Sequence, residues 1–257
     1  MKISTKTIKE RKGVTPITAV TAYDFPTAVH ADEAGIDLIL VGDSVGNTVL
    51  GFPSTVPVTV EMMEHHASAV LRAVPDSLVV VDLPFAEASL EKEHVLRVSR
   101  RFIQMGAGAV KLEGGVDQAG LRSYLVDAGI PVLGHIGLLP QRVQVEGGYR
   151  RFGRTEEEAD QIIADAESVE TSGCFACIGE MIDPVLAGEI RGRIDIPLIG
   201  IGCGPDCDGQ ILVSHDLLGL GTEKAPGFVK VYANLGEQIR RSFEEYREDV
   251  LNHRFPS

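Results

Sequence analysis

Leu38-Ile39-Leu40-Val41-Gly42-Asp43 and Leu78-Val79-Val80-Val81-Asp82 decide the fold, because each is a short apolar run that ends on an acid. Ala109-Val110-Lys111-Leu112-Glu113 repeats the pattern, and residues 174–180 do so again, ending on Glu180. Runs this short and this apolar read as buried strands. A charge at the end of a buried strand is costly unless it has a partner, a metal or a task. Four acids in that position point to one rim of a barrel or open sheet, where the active sites of α/β proteins sit.

Working outward, strand and helix signals alternate along the chain. Strands are expected at residues 16–21, 36–41, 78–81, 109–113, 131–135, 174–179, 197–201 and 210–213. Between them Asp24 reads as an N-cap with Pro26 in the first turn and Gly35 as a stop. Helices are expected at 59–74, 90–105, 118–127 and 184–193, and Thr155 caps another whose first turn carries Glu156, Glu157 and Glu158. Residues 42–57 form a long loop, and residues 137–153 have no periodicity, a length that is usually functional. Eight strands alternating with helices in 257 residues is what a (β/α)8 barrel of the TIM type requires. The alternative is a doubly wound open sheet, but no Gly-x-Gly-x-x-Gly follows the first strand. With no repeat or linker, residues 1–257 read as one domain. A helix at 4–11 and one or two amphipathic helices at 228–251 are terminal extras, of the kind that cap a barrel floor or join subunits.

Hydrophobic residues make up 44% of the chain, enough for a sizeable core without disulfides or structural metal. The net charge of −13 argues against nucleic acid or an anionic membrane as a partner. No 18-residue apolar stretch occurs and the first six residues lack the apolar core of a signal peptide, so a cytoplasmic protein is expected. Cys174, Cys177, Cys203 and Cys207 invite a zinc reading. The first two fall three apart on an expected strand and point to opposite faces, so they read as small buried side chains instead.

Asp43, Asp82 and Glu113 come from strands two, three and four, which should be neighbours. Hard oxygen donors without nearby His or Cys suit Mg²⁺. Lys111 and Glu113, two apart on one strand, face the same way, into the barrel. Lys111 is a candidate to bind a substrate carboxylate or to form a Schiff base, with Ser44 offering its hydroxyl to the same anion. Glu180, across the barrel, is a candidate base held apart from the cation. His135 ends strand five between them, whereas His65, His66 and His94 fall on expected helices and read as packing or surface residues. Arg142, Arg150, Arg151 and Arg154 concentrate positive charge in the long loop, either to clamp an anion or as a solvated loop.

The ordered blocks Thr18-Ala19-Val20-Thr21-Ala22-Tyr23-Asp24, Val41-Gly42-Asp43-Ser44-Val45-Gly46, Asp82-Leu83-Pro84-Phe85, Val110-Lys111-Leu112-Glu113-Gly114-Gly115, Gly134-His135-Ile136-Gly137-Leu138 with Pro140-Gln141, and Asp208-Gly209-Gln210-Ile211-Leu212-Val213 resemble the ketopantoate hydroxymethyltransferase family. The likeness runs from about residue 15 to 220. It implies a (β/α)8 barrel that uses Mg²⁺ and 5,10-methylenetetrahydrofolate. The reaction implied moves a hydroxymethyl group to 3-methyl-2-oxobutanoate by metal-assisted enolisation and aldol-type addition, giving 2-dehydropantoate in the first committed step of pantothenate and coenzyme A synthesis. It implies metal contacts at Asp43, Asp82 and Glu113, substrate contacts at Asp43, Ser44, Asp82 and Lys111, with His135 beside them, and Glu180 as proton acceptor. It also implies a large homo-oligomer, an octamer or decamer. The segment Glu180-Met181-Ile182-Asp183-Pro184 keeps the acid but departs from the family's usual neighbours. Two rival readings stand beside it: a lyase or mutase of the phosphoenolpyruvate/pyruvate barrel group, whose Lys-Lys-Cys-Gly-His signature is absent, and a catalytically dead scaffold.

Overall fold

A computed structural model describes residues 2–73, 76–88 and 90–256. The chain forms two compact units, residues 1–211 and 212–257.

The first unit is built on a closed, all-parallel barrel of eight strands in sequence order: β1 Ile17–Thr21, β2 Leu38–Val41, β3 Leu78–Asp82, β4 Ala109–Glu113, β5 Val132–Gly137, β6 Ala176–Glu180, β7 Leu198–Ile201 and β8 Gly209–Leu212. This is the (β/α)8 barrel expected. The helices of this unit are α1 Thr5–Glu10, α2 Phe25–Glu33, α3 Val45–Thr48, α4 Val60–Ala73, α5 Phe85–Ala88, α6 Lys92–Met105, α7 Ala119–Asp127, α8 Val143–Glu146, α9 Glu156–Thr171 and α10 Pro184–Arg193. The expected end of α4 at Val74 lies outside the described residues. The Asp24 carboxylate accepts from the Thr27 N–H at 2.8 Å and the Thr155 hydroxyl from the Glu158 N–H at 3.3 Å, so both anticipated caps form.

Strand side chains alternate between two cores, which is why the runs are apolar on both faces. Ile39, Val41, Val79, Val81, Val110, Leu112 and Val132 pack outward among helix side chains. Leu38, Leu40, Leu78, Val80, Ala109, Leu133, Ala176, Ile178 and Ile199 fill the barrel, joined by Ile8 from α1. The N-terminal helix therefore contributes a plug to the barrel interior, as expected of that extra. The ring closes where the Ile17 N–H donates to the Asp208 carbonyl at 2.9 Å.

In the second unit, α11 Ser214–Leu217 is followed by α12 Leu235–Leu251. N–H groups of Tyr232, Leu235 and Gly236 donate to carbonyls of Leu217, Leu218 and Gly219 and hold the start of α12. The tail anticipated over residues 228–251 is thus one helix beginning at Leu235, with residues before it non-helical.

Candidate active site

The inward alternation that fills the barrel continues to its C-terminal rim. Val80 is followed inward by Asp82, Ala109 by Lys111 and Glu113, Leu133 by His135, and Ile178 by Glu180. Strand register then sets these side chains beside one another: Asp82 pairs with Lys111, Glu113 with His135, and Gly137 with Glu180. The result is one row of alternating charge. Lys111 Nζ lies 3.0 Å from Asp82 Oδ1 and 3.6 Å from Glu113 Oε1. His135 Nδ1 lies 3.4 Å from Glu113 Oε1, and Nε2 lies 3.2 Å from Glu180 Oε2. The two histidine contacts are ion pairs at distance, without the alignment of hydrogen bonds. All of these residues but Glu180 are buried.

Asp43 reaches the row by another route. On β2 the inward position at the rim belongs to Gly42, and Asp43 enters from the turn beyond the strand. A Cβ on residue 42 would stand 2.8 Å from Ser44 Oγ and 3.5 Å from Asp82 Oδ2, so the glycine leaves the room those groups occupy. The Asp43 N–H donates to Asp82 Oδ2 at 2.9 Å. The three acids of strands two to four do converge, but Asp43 is not at the same strand position as the other two.

Two further residues complete the site, and sequence reading gave neither a role. Gln141 Nε2 donates to Asp43 Oδ2 at 2.8 Å and to the Leu83 carbonyl at 3.0 Å, while its backbone N–H donates to Glu113 Oε2 at 3.1 Å. The buried Tyr23 hydroxyl shares a hydrogen bond of 2.7 Å with Ser44 Oγ. Tyr23 sits just past β1, as Asp43 sits just past β2, and Gln141 lies in the loop whose length had marked it.

The electrostatics are those of crowded acids around too few cations. Burial, then the charges of Asp82 and Glu113, hold the Asp43 carboxyl well above the usual range against Lys111 and Gln141. Burial also raises Asp82, although Lys111 and the Asp43 N–H oppose it. For Glu113 the order reverses: burial would raise it, but Lys111, His135 and the Gln141 N–H together hold it low. Burial works against the Lys111 ammonium, yet Asp82, Glu113 and Asp43 outweigh it and keep the amine protonated. Burial and Lys111 likewise press His135 toward neutrality, and Glu113 and Glu180 overcome them to bring it to about 9. The Tyr23 phenol is pushed up to about 12, chiefly by burial.

Asp82 Oδ1 and Glu113 Oε1 are buried acceptors with no aligned donor. Hard oxygens in a pocket of excess negative charge fit a divalent cation such as Mg²⁺. Among the described residues no three His, Cys, Asp or Glu side chains form a ready-made ion cage.

The remaining candidates have other work. Arg142 pairs with Asp117, Arg150 with Glu158 at 2.7 Å, and Arg151 donates at 2.8 Å to the carbonyls of Ile182 and Gly202. These arginines tie down the long loop. His66 Nδ1 bonds the Tyr23 carbonyl at 2.7 Å and His94 pairs with Glu87, both packing roles. All four cysteines are free thiols.

Comparison with known proteins identifies the family. A family model described as ketopantoate hydroxymethyltransferase matches residues 2–257. Relatives named 3-methyl-2-oxobutanoate hydroxymethyltransferase include one from Pyrobaculum islandicum, 48% identical over 96% of this chain and 94% of its own. Another, from Thermotoga maritima, is 47% identical over 97% of this chain and 93% of its own. Among solved structures, a phosphoenolpyruvate phosphomutase from Streptomyces platensis subsp. rosaceus superposes with a TM-score of 0.66 over 97% of this chain and 88% of its own, at 14% identity. That likeness is one of barrel fold. The chain belongs to the ketopantoate hydroxymethyltransferase family and is a transferase.

Proposed function

We propose that the enzyme transfers a hydroxymethyl group from 5,10-methylenetetrahydrofolate to C3 of 3-methyl-2-oxobutanoate, giving 2-dehydropantoate, the first committed step toward pantothenate and coenzyme A. The observation that carries this reading is the single row Asp82–Lys111–Glu113–His135–Glu180. It sets a protonated amine and a carboxylate on one barrel rim, the two kinds of group an α-keto acid calls for at its carboxylate and at its acidic carbon.

Mg²⁺ held by Asp43, Asp82 and Glu113 would supply Lewis-acid stabilisation of the charge that grows on the 2-oxo group. Lys111, protonated and therefore a poor amine nucleophile, binds the substrate carboxylate together with Ser44. The Tyr23 hydroxyl fixes the Ser44 hydroxyl for that contact. Glu180 removes the C3 proton, and the imidazolium of His135 holds that carboxylate in place. The carbon so freed attacks the methylene carbon of the folate-derived iminium. Water then replaces the folate nitrogen, leaving 2-dehydropantoate and tetrahydrofolate. Holding both reactants at one rim removes much of the entropic barrier.

The same reading places the enzyme in the cytoplasm as a large homo-oligomer, an octamer or decamer. Four free thiols suit a reducing compartment. Among the described residues no helix is long and apolar enough to cross a membrane.

The test is hydrogen exchange at C3 of 3-methyl-2-oxobutanoate in D₂O with Mg²⁺, comparing wild type with Glu180→Gln. Exchange that needs metal and is lost in the variant supports the reading. Ketopantoate formation by Glu180→Gln at the wild-type rate, once folate is added, would remove Glu180 from the mechanism.

A further inference from the structure

The hydrogen bonds of Gln141 reach the ends of three successive strands. Its side-chain amide donates both to Asp43 Oδ2, just past β2, and to the carbonyl of Leu83, just past β3. Its backbone N–H meets Glu113 Oε2, at the end of β4. Pro140 opens a 3-10 turn over Pro140–Arg142, and that turn points the N–H at the acid. The residue is 6% exposed, so these bonds are made without competing water.

The chemistry of the donor matters as much as its reach. An amide fixes a carboxylate without adding charge. A lysine or arginine in its place would also orient Asp43, but it would neutralise a pocket whose surplus negative charge is what a cation would answer. Gln141 thus occupies one oxygen each of Asp43 and Glu113. It leaves Glu113 Oε1 facing His135 Nδ1 at 3.4 Å and Lys111 Nζ at 3.6 Å, with no aligned donor. Groups that orient the ligands of a metal commonly govern its affinity.

We propose that Gln141 is a positioning residue that sets the divalent-cation affinity of this site by holding Asp43 and Glu113 in their binding orientation. This rests on the reading of these acids as metal ligands. A residue that only anchored the long loop would affect stability and leave metal binding alone.

The experiment titrates Mn²⁺ into the full-length protein and follows free Mn²⁺ by electron paramagnetic resonance, with thermal unfolding measured in parallel without metal. Gln141→Met keeps length and apolar bulk and removes both side-chain donors. Gln141→Asn keeps the amide but falls short of Asp43. Both are expected to bind Mn²⁺ about 10–100-fold more weakly than wild type while unfolding within a few degrees of it. A folded variant that binds Mn²⁺ within twofold of wild type overturns the inference, and so does loss of folding in both variants. Failure of wild type to bind Mn²⁺ would instead overturn the metal reading beneath it.

Discussion

His135 Nε2 stands 3.2 Å from Glu180 Oε2, and the other nitrogen of the same ring stands 3.4 Å from Glu113 Oε1. One imidazolium therefore faces both the proposed base and a proposed metal ligand. Its pKa, raised from 6.5 to about 9, fixes the sign of a pH effect. A group raised on folding stabilises the native state fully below its unfolded value and loses that contribution as pH rises through the folded value. Wild type is therefore expected to lose stability, on the order of a few kcal/mol, between about pH 6.5 and 9. His135→Gln should lack that loss. Urea unfolding of both proteins at pH 6 and pH 9.5 checks it. Parallel pH dependences would mean that His135 is neutral in the native protein. The same variant should also slow C3 exchange by about 100-fold, the range of acid–base contributions.

Asp208 closes the barrel and makes a second, opposite pH prediction. Its carboxylate accepts from Lys12 Nζ at 2.9 Å, Arg191 Nε at 2.8 Å, and the N–H groups of Gly13 and Leu198 at 3.1 and 3.0 Å. Burial would raise its pKa, but Arg191, the Leu198 N–H and Lys12 hold it low. Such a group stabilises above the unfolded aspartate value and loses its effect as pH falls through the lower, folded one. Asp208→Asn should cost about 3 kcal/mol at pH 7, because two cations lose a buried partner. The cost should shrink below about pH 4. Equal unfolding midpoints for wild type and variant at pH 7 would show that the cluster adds nothing.

The barrel was legible because its strands are buried on both faces and so read as continuous apolar runs, and because period-two alternation carries Lys111 and Glu113 inward together. The same alternation told nothing about Asp43, which enters from a turn while Gly42 takes the inward position. Turn direction is set by local dihedrals and by who fills the neighbouring space, and no periodicity encodes it. Gln141 and Tyr23 escaped for a related reason: each lies beyond a strand end, where only folding shows what the side chain meets. Strand β5 also runs to Gly137, two residues past its expected end at His135, because Gly137 pairs with Glu180 across the sheet.

The second unit bears on assembly. Ile239, Phe243, Tyr246 and Val250 follow one another at helical spacing along α12, and all four are exposed, Phe243 by 70%. Four apolar side chains on one helix face are what the proposed oligomer would cover. Light scattering should give a mass several times the 27.6 kDa of one chain. Phe243→Glu combined with Tyr246→Glu should lower that mass without lowering the unfolding temperature of the barrel. A wild-type mass near that of one chain would rule out the oligomer.

Gly137 supports Glu180 through backbone alone. Its φ is +87°, and a Cβ there would stand 2.3 Å from the Glu180 carbonyl oxygen and 2.8 Å from Ile182 Cγ1. The next N–H, from Leu138, donates to that same carbonyl at 2.8 Å. A side chain at 137 must therefore push β6 away at the residue that carries the base, and a left-handed dihedral adds its own penalty. Met181, immediately after Glu180, is already in that region at φ +51°, so the strand end has little freedom to give way. Gly137→Ala should destabilise the protein by about 2–3 kcal/mol. It should also reduce C3 exchange more than it reduces Mn²⁺ affinity, since the displaced residue is Glu180 and not Asp43, Asp82 or Glu113. Calorimetric melting, exchange rate and Mn²⁺ titration on one preparation separate these effects. Equal losses in exchange and metal binding would show that the whole rim had shifted, contrary to a local displacement of the base.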